Sequence, residues 1–129
     1  MPHKILIAED EPSIVLSLEF LLRGAGYDVT VARDGNEALH AACLTRPDLI
    51  VLDIMLPLLD GFEICRRVRE TETLAHTKIL ILTARGRGSE IEKGLALGAS
   101  AYMTKPFSTR ELVRKIGELL AGPWPGNGQ

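Results

Sequence analysis

The chain has 129 residues, of which 46% are hydrophobic and 25% charged, and its formal net charge is -2 at pH 7. This length allows one domain that buries a core without a disulfide or structural metal, and Cys43 and Cys65 are expected to be buried free thiols. The nearly balanced, well-mixed charges argue against direct nucleic-acid binding. Neither a signal-peptide pattern nor a membrane-spanning apolar run is present, so we expect a cytoplasmic protein without a membrane partner.

Five short apolar runs alternate with helical patterns along the chain. Three of them, residues 4–8, 49–52 and 79–82, are largely continuous in apolar residues, as strands buried on both faces of a parallel sheet should be. The other two runs cover residues 28–32 and 101–103. This alternation predicts a doubly wound α/β fold in which crossover helices cover both faces of a five-stranded parallel sheet.

The segments between these runs carry the signals of helix ends. Pro12 stands where a first helical turn tolerates proline, and either Ser108 or Thr109 is expected to cap the last helix. The fourth helix, around residues 89–97, has the weakest pattern because Gly94 lies inside it. Together these signals predict five helices.

Polar side chains stand where the predicted strands end. Four of the five runs end in, or are followed by, charged or hydroxyl side chains, namely Glu9 and Asp10, Asp53, Thr83, and Lys105. The carboxyl ends of parallel strands meet at one edge of the sheet, where ligands of such folds bind. Each residue alone is more simply interpreted as a loop-capping residue. Three carboxylates that converge on one crevice, however, repel one another and require a counter-ion.

The donor types at this edge favour one chemistry. Carboxylate oxygens suit Mg²⁺, and no histidine or cysteine is spaced to favour zinc. Mg²⁺ and Lys105 together would neutralise a phosphoryl group, to which Thr83 would donate a hydrogen bond. Asp53 is the best candidate nucleophile because it stands alone at the end of the central strand, whereas Glu9 and Asp10 form a metal-holding pair.

With these residues in these positions, the sequence resembles the receiver domain of two-component response regulators. The segments that carry the resemblance are ILIAEDEP, LIVLDIMLPLLDG, ILILTA and GASAYMTKPF, and the match covers about residues 4–121. It implies a flavodoxin-like fold with strand order 2-1-3-4-5 and five flanking helices. It also implies that a sensor histidine kinase or phosphotransfer protein phosphorylates Asp53. The implied Mg²⁺ ligands are Glu9, Asp10, Asp53 and the backbone carbonyl of Met55, and the bond before Pro106 is expected to be cis.

The resemblance further implies a conformational switch. Thr83 would move toward the phosphoryl group while Tyr102 turns inward, and the face formed by helix 4, strand 5 and helix 5 would change. A strand aromatic without a switching role remains the alternative for Tyr102. Dimerisation through the same face is a hypothesis. Receivers attached to winged-helix DNA-binding domains usually place one basic and two acidic residues in this interface, where this chain has Ile91, Ser100 and Ala101.

The sequence fits three classes of function to different degrees. The leading one is a signalling switch, not an enzyme with an outside substrate, which catalyses only its own phosphorylation and slow dephosphorylation. A phosphohydrolase with an aspartyl-phosphate intermediate generally needs an acid two residues after the nucleophile, where Met55 stands. A phosphate-independent pseudo-receiver, an interaction module, would be favoured if Asp53, Thr83 or Lys105 were missing, and all three are present.

The domain organisation follows from composition. Residues 1–122 are predicted to form the receiver domain, and residues 123–129, rich in proline and glycine, a flexible tail or linker remnant. A stand-alone regulator and the first domain of a longer protein both fit this tail. The output domain or protein partner therefore stays open.

Overall fold

A computed structural model describes residues 2–84 and 88–121 of the chain. Within these residues, five strands alternate with five α-helices, and one 3₁₀ turn, Glu72–Leu74, precedes the fourth strand. The elements are β1 (Lys4–Ala8), α1 (Pro12–Gly24), β2 (Asp28–Ala32), α2 (Gly35–Thr45), β3 (Leu49–Asp53), α3 (Gly61–Glu70), β4 (Lys78–Ala84), α4 (Gly88–Ala96), β5 (Ala101–Lys105) and α5 (Thr109–Ala121). The predicted tail, residues 123–129, lies outside the described residues.

The strands form one parallel sheet in the order β2-β1-β3-β4-β5. The three strands that are richest in apolar residues, β1, β3 and β4, therefore occupy its interior, as predicted. Three strands run further than the apolar pattern indicated: β3 ends at Asp53, β4 at Ala84 and β5 at Lys105. Pairing of Thr83 with Thr104 and of Ala84 with Lys105 extends the ladder past the last apolar residue of β4. The polar functional candidates thus lie at the ends of the strands.

Each face of the sheet packs against its own set of helices. Successive residues of β1 point to opposite faces, so that Ile5 and Ile7 pack with α1 and α5 while Leu6 and Ala8 pack with α2 and α3. The turn after α4 joins the second of these cores through Leu97 and Ala99. In the described residues, no helix is long and apolar enough to cross a membrane.

The ends of α1 and α5 and the burial of the two cysteines test the local predictions. Pro12 is the first residue of α1, and Ser108 caps α5 because its Oγ accepts the Glu111 N–H at 3.0 Å. Cys65 is buried, but the prediction that Cys43 is buried was wrong. The buried residues of α2 are Gly35, Ala38, Ala41 and Ala42. Cys43 comes one residue after this stripe and, since successive helical residues turn by about 100°, lies on the solvent side.

Candidate functional site

The predicted polar residues meet at the carboxyl edge of the sheet. One carboxylate oxygen each from Glu9, Asp10 and Asp53 lies within 4.8 Å of the others. The ammonium Nζ of Lys105 lies 3.1 Å from Glu9 Oε1 and 3.3 Å from Asp53 Oδ2. Lys105 precedes Pro106 through a cis peptide bond, as expected. The structure therefore brings four of the sequence-predicted side chains into one cluster of opposite charges.

Glu9 is the most deeply buried member of this cluster. Its Oε2 accepts the backbone N–H groups of Asp10 at 3.1 Å and Glu11 at 3.0 Å. Its Oε1 is buried and accepts no hydrogen bond, so its contact with Lys105 is an ion pair without hydrogen-bond alignment. Burial, reinforced by the charge of Asp53, raises the pKa of Glu9 above its ordinary value. The Lys105 ammonium offsets part of the cost of burying this carboxylate oxygen, and a bound divalent cation would offset more of it.

Asp53 is only 4% exposed and is held from two sides. The Met55 N–H donates to its Oδ1 at 3.0 Å, and Lys105 faces its Oδ2. The Met55 side chain is exposed, so this residue contributes its backbone to the site. Burial lowers the pKa of Lys105, but the carboxylates of Glu9 and Asp53 outweigh burial and raise it in net terms. Lys105 is therefore a fixed positive charge beside the Asp53 carboxylate.

The segment after β3 is clamped between the beginnings of α2 and α3. The Gly35 N–H donates to Pro57 O at 3.0 Å, and the Gly61 N–H donates to Ile54 O at 3.0 Å. A Cβ on Gly35 would lie 2.2 Å from Leu59 O, and a Cβ on Gly61 would lie 2.8 Å from Ile54 Cα. Neither glycine has room for a side chain. Close backbone packing thus fixes the segment on which the Asp53 carboxylate depends.

Thr83 is held differently. It is buried, and its hydroxyl donates to Glu90 Oε1 at 3.0 Å, in the first turn of α4. No sequence signal indicated this contact, because the two residues are seven positions apart in different elements. Tyr102 on β5 is 42% exposed. The structure therefore keeps the Tyr102 side chain toward solvent and engages the Thr83 hydroxyl with α4.

The donor set of the cluster suits a hard cation. Three carboxylates face a single ammonium group among the described residues, and no histidine or cysteine belongs to the cluster. Oxygen donors of this kind match Mg²⁺ far better than zinc. The exposed Asp10 leaves the cluster open to solvent on one side. The arrangement is able to hold a divalent cation next to the Asp53 carboxylate.

Comparison with known proteins identifies related sequences. The family model of the response regulator receiver domain matches residues 5–117. The chain is 48% identical over 120 residues to the alkaline phosphatase synthesis transcriptional regulatory protein PhoP of Bacillus subtilis (strain 168). This match covers 93% of the chain and 49% of the relative, so the chain spans about half the length of that curated protein.

Solved structures with the same fold give a consistent result. The chemotaxis response regulator CheY4 of Vibrio cholerae is 34% identical and superposes with a TM-score of 0.87, covering 92% of this chain and 99% of that chain. The receiver domain of the sensor histidine kinase PA1611 from Pseudomonas aeruginosa PAO1, with a magnesium ion coordinated in its active site cleft, is also 34% identical. Its TM-score is 0.85, with 95% of this chain and 100% of that chain covered. The predicted flavodoxin-like fold is confirmed, and the chain belongs to the response regulator receiver domain family of two-component systems.

Proposed function

We propose that Asp53 accepts a phosphoryl group from the phosphohistidine of a sensor histidine kinase or a phosphotransfer protein in a Mg²⁺-dependent reaction. The observation that carries this proposal is the position of its carboxylate. Asp53 Oδ1 is oriented by the Met55 N–H, and Oδ2 lies 3.3 Å from Lys105 Nζ. A carboxylate held in this way beside a fixed positive charge suits nucleophilic attack on an anionic phosphoryl group.

Glu9, Asp10, Asp53 and the backbone carbonyl of Met55 would hold the Mg²⁺ ion. The buried Glu9 Oε1, which accepts no hydrogen bond, and the clustering of three carboxylates within 4.8 Å support this assignment. When bound, the ion would neutralise charge on the phosphoryl oxygens. The magnesium ion in the PA1611 receiver domain, 34% identical to this chain, is a further argument for it.

The side chains of this chain then have distinct tasks. A carboxylate oxygen of Asp53 forms a bond to phosphorus as the bond from phosphorus to the donor histidine nitrogen breaks, and the electron pair of that bond stays on the imidazole. The Lys105 ammonium, already 3.3 Å from Asp53 Oδ2, pairs with the oxygens of the transferred group. The Thr83 hydroxyl donates a hydrogen bond to one of these oxygens. Asp53 is regenerated by slow hydrolysis, so the domain signals rather than turning over an outside substrate.

Output would pass through the face formed by α4, β5 and α5. Leu95 and Tyr102 are exposed on α4 and β5, and Tyr102 would turn inward after phosphorylation. This face would control an output domain or a protein partner, and the PhoP relative is about twice as long as this chain. Dimerisation through the same face predicts a larger sedimentation coefficient after phosphorylation. A monomer in both states would contradict it.

The test of the phosphoacceptor is the intact mass after incubation with acetyl phosphate. We expect one phosphoryl adduct, formed only with Mg²⁺ and absent from Asp53→Asn. Asp28→Asn is the matched control. This exposed aspartate begins β2 and therefore lies at the amino ends of the strands, away from the site, so the variant should accept the phosphoryl group as wild type does. An adduct that persists in Asp53→Asn would contradict the assignment. A folded wild-type protein without an adduct would favour the phosphate-independent interaction module.

A further inference from the structure

The hydroxyl of Thr83 is already committed in the unphosphorylated protein. Its Oγ1 donates to Glu90 Oε1 at 3.0 Å. We propose that Glu90 is a latch that holds Thr83 in the resting state, so that phosphorylation must break this hydrogen bond before Thr83 reaches the phosphoryl group. The inference rests on the proposed function of Asp53 as the phosphoacceptor. It assigns to Glu90 a positioning role in the regulation of the same site.

The competition follows from the chemistry of a hydroxyl group. A threonine hydroxyl has one hydrogen and therefore donates to one acceptor at a time. Thr83 is only 1% exposed, so water does not readily replace Glu90 as its acceptor. A carboxylate is a stronger acceptor than a neutral oxygen, which makes the resting hydrogen bond a substantial one. The phosphoryl oxygens and Glu90 thus compete for the same proton donor.

Electrostatics give this competition a direction. Phosphorylation brings further negative charge to a cluster that already holds three carboxylates and one ammonium among the described residues. Two anionic acceptors directed at one hydroxyl repel each other. Transfer of Thr83 to the phosphoryl group therefore favours movement of the Glu90 carboxylate away from β4. Removing the charge of Glu90 should make the transfer easier.

The release of Glu90 acts on one end of α4. The end of the helix and the turn after it are tied to other elements, since Arg69 Nε donates to Gly98 O at 2.8 Å and the Ser100 N–H donates to Ile79 O at 2.8 Å. The first turn is joined to β4 by the hydrogen bond between Thr83 and Glu90. Breaking that bond removes one tie between the first turn and β4, while the turn after the helix stays tied to α3 and β4. The latch thereby connects the chemistry at Asp53 to the proposed output face.

The first test measures the apparent affinity for trifluoroberyllate, a phosphoryl analogue, in the presence of Mg²⁺. Glu90→Ala should bind the analogue about 3- to 10-fold more tightly than wild type, because less of the protein is held in the resting state. Glu90→Gln, which keeps a weaker neutral acceptor, should fall between them. Glu92→Gln makes the same charge change on an exposed residue of α4 and should match wild type. Equal affinity of wild type and both Glu90 variants would overturn the latch.

A double-mutant cycle shows whether Glu90 acts through Thr83. In a Thr83→Val background, which lacks the hydroxyl, Glu90→Gln should leave the affinity for the analogue unchanged. An equal gain in affinity for the analogue in both backgrounds would mean that Glu90 acts by general electrostatics, and this result would contradict the proposal.

A second readout does not depend on phosphorylation. Without the analogue, Thr83→Val and Glu90→Gln should each speed hydrogen exchange of the α4 amides that donate to the carbonyl groups of its first turn, and the double variant should add nothing further. If the wild-type protein bound no analogue, only the proposed function would be contradicted. Hydrogen exchange would still test the proposed hydrogen bond between Glu90 and Thr83. Unchanged exchange in the two single variants would overturn the latch itself.

Discussion

The segments of the proposed phosphoacceptor, Asp53, and of the proposed switch residue, Thr83, are held by different kinds of contact. The segment after Asp53 is clamped by backbone hydrogen bonds from Gly35 and Gly61, both of which lack room for a Cβ. The backbone of Thr83 lies in the β4–β5 ladder, but its hydroxyl is held by a side-chain hydrogen bond to Glu90. A closely packed backbone segment has a single conformation of low energy, whereas a hydroxyl group can exchange one hydrogen-bond acceptor for another.

This difference matches the two proposed tasks. A nucleophile performs best when its position is fixed before the donor arrives, since misplacement slows transfer. A switch residue needs two positions that differ little in free energy, so that a local charge change selects between them. The clamped segment serves the first need and the exchangeable hydrogen bond serves the second. Three substitutions in or beside the clamped segment, in decreasing order of expected effect, test how far its contacts stabilise the fold.

The largest effect is expected from Gly35→Ala. The added Cβ would meet the backbone oxygen of Leu59 at 2.2 Å, and backbone cannot move aside as easily as a flexible side chain. We expect a loss of about 1–3 kcal/mol in the free energy of unfolding, measured by urea denaturation, together with slower phosphorylation of Asp53. Gly24→Ala is the matched control, because nothing lies within 4 Å of its Cβ position. A Gly35→Ala protein as stable as Gly24→Ala would contradict the clamp.

A smaller effect of opposite sign is expected from Leu58→Gly. Leu58 lies within the clamped segment at a φ of 72°, and its side chain is 75% exposed. Relief of the left-handed strain should outweigh the added chain entropy of glycine and raise the free energy of unfolding by about 0.5–1 kcal/mol. Leu16→Gly is the control, since Leu16 is 70% exposed in the middle of α1 and should lose about 1 kcal/mol. The same sign in both variants would disprove strain at Leu58.

The smallest effect concerns α3, the helix that begins at Gly61. Hydrogen bonds from Arg66, and to a smaller extent from Arg67, lower the pKa of Glu63 from its ordinary value of 4.5 to about 2. The stabilisation is therefore fully present above pH 4.5 and is lost as the pH falls toward 2. Wild type should be slightly more stable than Glu63→Gln at neutral pH, and the difference should shrink on acidification. A difference that grows at low pH would contradict this sign.

Much of the architecture could be predicted from the sequence because it depends on local signals. Apolar runs mark strands buried on both faces, and polar residues at their ends mark the edge where ligands bind. Asp53 and Lys105 were therefore predicted at the correct edge, and the structure brings their side chains within 3.3 Å. Their chemical roles remain predictions that phosphorylation experiments will test. Cys43 shows the limit of such signals, because one position along a helix separates buried from exposed.

The sequence by itself determined the order of the elements, the sheet that they form and the group of polar residues at its edge. Only the tertiary structure decided how these residues are held. The clamp on Gly35 depends on Leu59, and the hydroxyl of Thr83 depends on Glu90 in another element. The physical reason is that periodicity records which face of an element is buried, whereas hydrogen bonds and steric contacts between elements depend on distances that arise only when the chain has packed.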